Sequence, residues 1–242
     1  MKSLDHFLFY SSTPPSNNIL TLDQQESHHA LNVLRLQKDD PIQITDGKGT
    51  IYNCVISNAG TKHLDATIVD SRKLTRPASI HLLIALPDRD PFESAITECT
   101  ALGVSNITPV IAAHCQKPWW KYSWEKHQER FMTKITGSMK QSLSPFLPKL
   151  DAPITLEESF HLCKSPILLA DQDGTPVVTI CQTLQTNNLT CYIGPPGGFS
   201  NDEIALFASN NALKVKIGEP RFRTELAAVV LCSQLIGFFG DS

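Results

Sequence analysis

Two short segments near the C-terminus carry the residue types that could do chemistry. Ile193-Gly194-Pro195-Pro196-Gly197-Gly198-Phe199-Ser200 ends an apolar run and leads into a helical pattern. Glycines let a backbone approach a ligand closely, and open α/β sheets bind ligands beyond the carboxyl ends of their strands. No Gly-Lys-Ser/Thr follows and the spacing is not GxGxxG, so neither a P-loop nor a dinucleotide fingerprint is present. By themselves such glycines are more often turn formers. The second segment, Ile217-Gly218-Glu219-Pro220-Arg221-Phe222-Arg223-Thr224-Glu225, again leaves an apolar run and enters a helix, with Thr224 a natural N-cap. Surface capping and mutual ion pairing would account for its charges. Their position beside the most apolar helix in the chain favours a functional role.

A third segment is basic and aromatic. Between His114 and Lys149, seven Lys or Arg (117, 121, 126, 130, 134, 140, 149) stand against Glu125 and Glu129, and Trp119, Trp120, Tyr122 and Trp124 fall among them. Aromatics beside cations suit splayed-out RNA bases. The same residues could equally cover a domain or dimer interface. His28, His29 and Arg35 are candidates for RNA or inter-domain contact. A histidine pair with no cysteines nearby is a poor metal site, and no metal is expected.

The elements that must position these residues follow from periodicity. In the first seventy-odd residues, 41–46 and 50–57 read as strands joined by Gly47-Lys48-Gly49, and 63–69 as a third. Residues 27–35 read as a short amphipathic helix and 71–79 as a linker. Beyond it, strands at 80–86, 107–112, 167–170, 189–193 and 213–217 alternate with helices at about 91–102, 124–143, 176–186 and 200–210. Gly103 stops the first of these, Gly137 interrupts the pattern of the second, and Ser200 to Glu203 forms a capping box for the last. A final helix over 225–239 is apolar nearly all round and should be buried. This alternation predicts an α/β fold with a mostly parallel sheet.

Composition narrows the classes further. At 242 residues with 41% hydrophobic content, the chain can bury a sizeable core. No apolar run reaches membrane-spanning length, and the N-terminus is a poor signal peptide, so a cytoplasmic protein without a membrane partner is expected. Seven cysteines are scattered singly with no CxxC pair, which reads as reduced thiols. The net charge of −3 gives no bulk support for nucleic-acid binding, leaving only local patches.

The two C-terminal segments, in this order, resemble the signature of the RsmE family, SPOUT-class enzymes that methylate N3 of a uridine in 16S rRNA. The matches are Gly194, Pro195, Gly197, Gly198, Phe199 and Ser200, then Gly218, Arg223, Thr224, Glu225 and Ala227. Upstream, His28-His29 with Val33-Leu34-Arg35, Asp46-Gly47-Lys48-Gly49, Ala85-Leu86-Pro87, Leu102-Gly103-Val104 through Pro109, and Gln141-Ser142 fall in register with family motifs. The chain departs from the pattern at Pro196, Glu98, Ala101, Ser144 and Phe222.

The resemblance implies an RNA-binding PUA-like β-barrel over 1–72, a linker over 73–79, and a SPOUT methyltransferase domain over 80–242 with a C-terminal trefoil knot. It implies S-adenosylmethionine as cofactor, 16S rRNA of the small ribosomal subunit as substrate, and a homodimer with active sites near its interface. Leu169, Ile193, Gly194, Pro195, Gly197, Ile217, Gly218, Phe222, Arg223 and Thr224 would line the cofactor pocket. Uracil N3 must lose a proton, and a cation near O2 or O4 would steady the resulting charge. Arg223 is the first candidate for that role. Glu225 would orient it or accept a proton, or simply favour the helix dipole. His28, His29, Arg35, Lys117, Trp119, Arg130 and Gln141 are the candidate RNA contacts. The alternatives are a SPOUT enzyme acting on another RNA such as tRNA, and a non-catalytic ribosome-assembly factor.

Overall fold

The computed structural model describes residues 7–60, 63–115, 119–121 and 124–240. The chain divides into two compact units. One takes residues up to Arg76 together with Thr136–Leu147, and the other takes Pro77–Ile135 and Pro148 onward.

The first unit is built on a five-stranded sheet of β1 (Leu8–Tyr10), β2 (Ile19–Leu22), β3 (Pro41–Thr45), β4 (Thr50–Ala59) and β5 (Leu64–Lys73), in the order β1-β3-β4-β5-β2. All its pairings are antiparallel except β1 with β3. Phe9, Leu20, Leu22, Ile42, Ile44 and Ile56 form its core. The β3–β4 link is the expected glycine turn, where the Asp46 carboxylate accepts from the Lys48 and Thr50 amides at 2.7 and 3.0 Å. Gly49 has φ +98°, and a Cβ there would lie 2.6 Å from the Phe146 ring, so no other residue fits without movement.

Two expectations change here. The helix begins earlier, as α1 (Gln24–His28), because Asp23 caps it by accepting from the Glu26 amide at 2.8 Å, and it continues as a π-helical turn over His29–Val33. The expected linker is partly strand, since β5 runs on to Lys73 opposite Thr50.

The second unit holds a parallel sheet. Its strands are β6 (Ser79–Ala85), β7 (Asn106–Ile111), β8 (Lys149–Leu150), β9 (Ile154–Thr155), β10 (Ile167–Pro176), β11 (Asn188–Ile193) and β12 (Leu213–Lys216). The order is β12-β10-β11-β6-β7-β8, with β9 also on β7. Ile80 and Leu82 to Leu86 are buried, as a strand covered on both faces requires, while His81 is half-buried. The helices are α2 (Arg89–Leu102), α3 (Trp124–Gln141), α4 (Leu156–Ser159), α5 (Val177–Cys181), α6 (Asn201–Ser209) and α7 (Thr224–Gly240). Gly103 ends α2 at φ +90°, and Ser200 and Glu203 form the capping box of α6.

Gly137 does not interrupt α3. It lies on an exposed face with nothing within 4 Å of where a Cβ would sit. The helix expected over 176–186 shrinks to the five residues of α5, because β10 extends through a bulge to pair Thr175 and Pro176 with β12. α7 is not buried all round. Ala228, Leu231, Cys232 and Leu235 are buried, while Leu226 on another face is 46% exposed. Among the described residues no helix is long and apolar enough to cross a membrane, and no group of three or more His, Cys, Asp or Glu could hold a metal ion.

Candidate active site

The site lies at the carboxyl ends of β10, β11 and β12, where strand order in the sheet departs from chain order. The loop from Gly194 to Ser200 leaves β11, and the loop from Ile217 to Arg223 leaves β12 and feeds α7. They are fastened together. Thr224, 4% exposed, donates its hydroxyl to the Gly194 carbonyl at 3.0 Å, and Arg221 Nη2 donates to the Pro196 carbonyl at 3.1 Å. Gln172, in β10, donates to the Pro220 carbonyl at 3.2 Å. Gln234 of α7 donates to the Ile217 carbonyl at 3.0 Å.

These contacts frame a cavity of about 500 Å³. Of the residues anticipated from sequence, Leu169, Ile193, Gly194, Pro195, Ile217, Phe222 and Thr224 line it. Gly197 and Gly218 do not line it. A Cβ on Gly197 would press on His114 Cβ at 3.0 Å, and one on Gly218 would meet the Phe222 ring at 2.8 Å. Gly194 has the same relation to Phe199, at 3.2 Å. The missing side chains therefore let two aromatic rings close on the loops that hold them.

Other lining residues were not anticipated. Asp171 and Lys214 both face the cavity and are paired at 2.8 Å. Burial alone would raise the Asp171 carboxyl, but Lys214 and the Asp173 amide outweigh it and hold it below the usual range. The two lie in separate strands, and only the β10–β12 pairing joins them.

The glycine loop is also tied to the turn after β7. Glu203, 7% exposed, accepts from the Ala113 amide at 2.7 Å and the Ser200 amide at 2.8 Å. His114 Nδ1 lies 2.9 Å from the Gly198 carbonyl.

Arg223 and Glu225 do not line the first cavity. They face a second one of about 360 Å³, which shares Pro196, Arg221, Phe222 and Thr224 with the first. The two candidate groups are thus brought together, one wall away from the larger cavity.

The candidate RNA contacts are divided between the units. In the first, His28 is exposed on α1, and His29 is half-buried with its ring 5.7 Å from that of Phe9. Arg35 is exposed just past the π-helical turn at φ 55°, and Gln141 is exposed at the end of α3. In the second, the Trp119 ring packs against Phe92, Trp120, Trp124, His127 and Phe131, and its Nε1 donates to the Pro87 carbonyl at 2.9 Å. Trp120 and Trp124 are buried, so most of this aromatic surface covers α2 and α3. Arg130 is half-exposed and grips Glu93 through Nε at 2.9 Å and Nη2 at 3.0 Å. Burial alone would raise the Glu93 carboxyl, but Lys134 and Arg130 hold it below the usual range. Lys117 lies outside the described residues.

A family model of the RNA methyltransferase domain matches residues 75–236. The chain belongs to that family. A second model, the RNA methyltransferase PUA domain, matches residues 22–69. Among curated proteins, ribosomal RNA small subunit methyltransferase E of Synechocystis is 29% identical over 226 residues, covering 89% of this chain and 72% of that protein. A Legionella pneumophila protein described as a methyltransferase, solved with bound S-adenosylmethionine, superposes with a TM-score of 0.83 at 25% identity, covering 95% of this chain and 96% of that one. Ribosomal RNA small subunit methyltransferase E of Neisseria gonorrhoeae, also solved with S-adenosylmethionine, gives a TM-score of 0.83 at 20% identity over 95% of this chain and 96% of that one, a likeness of fold. Membership of the RNA methyltransferase family agrees with the resemblance read from the two C-terminal loops.

Proposed function

We propose that this chain is an S-adenosylmethionine-dependent methyltransferase that modifies N3 of a uridine in 16S rRNA of the small ribosomal subunit. The observation that carries the reading is the pair of C-terminal loops, locked by Thr224 on Gly194 and Arg221 on Pro196 around one cavity. The names and bound ligand of the relatives support it.

The residues present fit the cofactor. A cavity of about 500 Å³ is within the roughly 300–1,000 Å³ typical of cofactor sites. Its walls are apolar at Leu169, Ile193, Ile217 and Phe222, with charges of both signs at Asp171 and Lys214. Lacking a Cβ, Gly194 and Gly218 leave room for the rings of Phe199 and Phe222 where they stand. When bound, S-adenosylmethionine supplies an electrophilic sulfonium methyl. The chain's own residues position the partners, which is where a protein of this kind does its catalytic work. Gly194, Pro195, Gly197 and Gly218 shape the loops, and Thr224 fixes the start of α7 against them. Arg223 donates to a uracil carbonyl oxygen and steadies charge as N3 loses its proton. Glu225 orients Arg223.

RNA capture falls to exposed residues of both units: His28, His29, Arg35 and Gln141 in one, Arg130 and the rim of Trp119 in the other, with Lys117 as a further candidate. The domain limits at 72 and 80, the trefoil knot, the homodimer and a cytoplasmic location belong to the same reading. Within this reading Leu226, 46% exposed on α7, is placed at the homodimer interface.

The test is methyl transfer from labelled S-adenosylmethionine to small ribosomal subunits lacking the modification, followed by nucleoside analysis. The expected product is 3-methyluridine in 16S rRNA. Transfer to tRNA alone, or cofactor binding without transfer to either RNA, refutes the assignment.

A further inference from the structure

The second cavity has its own chemistry. Besides the four residues shared with the first, its walls are Pro87, Asp88, Pro91, Arg223 and Glu225. Pro87, Pro91 and Pro196 offer flat apolar surfaces and no backbone N–H. The charges are two guanidiniums, Arg221 and Arg223, against two carboxylates, Asp88 and Glu225. A phosphate would meet both carboxylates. A flat neutral ring with hydrogen-bonding edges meets a donor, an acceptor and an apolar face.

Asp88 is the distinguishing group. Its backbone, at φ −60° and ψ 161°, places it at the N-cap of α2, yet its side chain accepts no cap hydrogen bond. Asp23, Thr155 and Ser200 stand at equivalent positions of their helices and all cap through the side chain. An N-cap carboxylate ordinarily accepts from the first turn of its helix. The Asp88 carboxylate instead belongs to an exposed residue that lines the cavity.

We propose that this cavity receives a uracil base and that Asp88 accepts its N3–H. The assignment rests on the uridine methylation proposed above. Uracil presents N3–H between two carbonyl oxygens, an acceptor–donor–acceptor edge. Arg223 donates to one carbonyl and Asp88 accepts from N3–H, while Phe222 and the prolines cover the ring face. Cytosine in the same pose turns the N3 lone pair toward the carboxylate, so its binding loses a hydrogen bond and gains a repulsion. Asp88 thereby selects uracil over cytosine. The shared wall sets the base beside the larger cavity.

The test uses the full-length protein titrated with uridine 5′-monophosphate and with cytidine 5′-monophosphate, followed by backbone amide NMR shifts. Uridine is expected to bind tighter by about 10-fold, the usual scale for a hydrogen bond to a charged group. The shifts should centre on Asp88, Phe222 and Arg223. D88N should bring the two nucleotides within about 2-fold of each other, and D88E should retain part of the preference. Asp88 is exposed and caps nothing, so D88N should fold, and its thermal unfolding should match the parent. Equal affinities in the parent, selectivity that survives D88N, or shifts centred elsewhere would overturn the proposal. Uridine selectivity without methyl transfer to rRNA would sink the methylation reading and keep the base site. Transfer to rRNA with equal nucleotide binding would do the reverse.

Discussion

Gly218→Ala isolates the contact that shapes the larger cavity. The new Cβ would lie 2.8 Å from Phe222 Cε2 and 3.0 Å from Cζ, against an ordinary contact of at least 3.4 Å. Gly218 does not need a positive φ, so the effect is steric rather than a backbone penalty. The Phe222 ring, which lines both cavities, must give way by roughly half an ångström or more. Overpacking of this kind costs about 1–3 kcal/mol. If that strain falls on the ligand-bound arrangement, affinity for S-adenosylhomocysteine drops by about 5- to 150-fold. Titration calorimetry measures the loss, and thermal unfolding checks that the fold survives. The double variant decides the cause. With Phe222→Ala in the background, the further effect of Gly218→Ala should fall below about 2-fold, because the clashing atoms are gone. Parent-like affinity in Gly218→Ala, or a penalty that persists without the Phe222 ring, refutes the steric account.

Glu203→Ala removes the acceptor for both the Ala113 and Ser200 amides and should lower unfolding free energy by about 3 kcal/mol in urea melts; a loss under about 1 kcal/mol would contradict the bonding described. Burial pushes the His81 imidazole, 2.7 Å from the Thr108 hydroxyl, below its ordinary range against the pull of Asp151. The unfolded chain therefore takes up the proton first, so stability should fall as pH drops below about 6.5. His81→Gln should show a shallower slope across that window, and identical slopes would refute this. Leu226→Glu places a charge on the outward face of α7 and should shift the protein toward a monomer in sedimentation velocity. An unchanged mass distribution would remove α7 from the proposed interface.

Local features are legible in the amino-acid sequence. The Ser200–Glu203 capping box, the Gly103 stop and the β6 run all depend on neighbours along the chain, and all three hold. Sequence and structure part where a local signal meets a distant partner. Asp23 is the exception, starting α1 ahead of the apolar stripe that points to Ser27 through a local bond to the Glu26 amide. The pairing of β10 with β12 draws Thr175 and Pro176 into strand and shortens α5. Continued pairing with β4 carries β5 into the expected linker.

The loop composition of the chemistry belongs to the sequence, because glycines, arginines and a threonine bring the same chemical groups wherever the chain places them. Which loop touches which belongs to the tertiary structure. Only folding joins Thr224 to Gly194, pairs Asp171 with Lys214, and sets Arg223 and Glu225 in a cavity with Asp88. It also settles how the tryptophans pack, since burying large apolar rings against Phe92 and Phe131 removes more surface from water than leaving them free. Residue type sets what a side chain can do. Long-range packing sets what it meets.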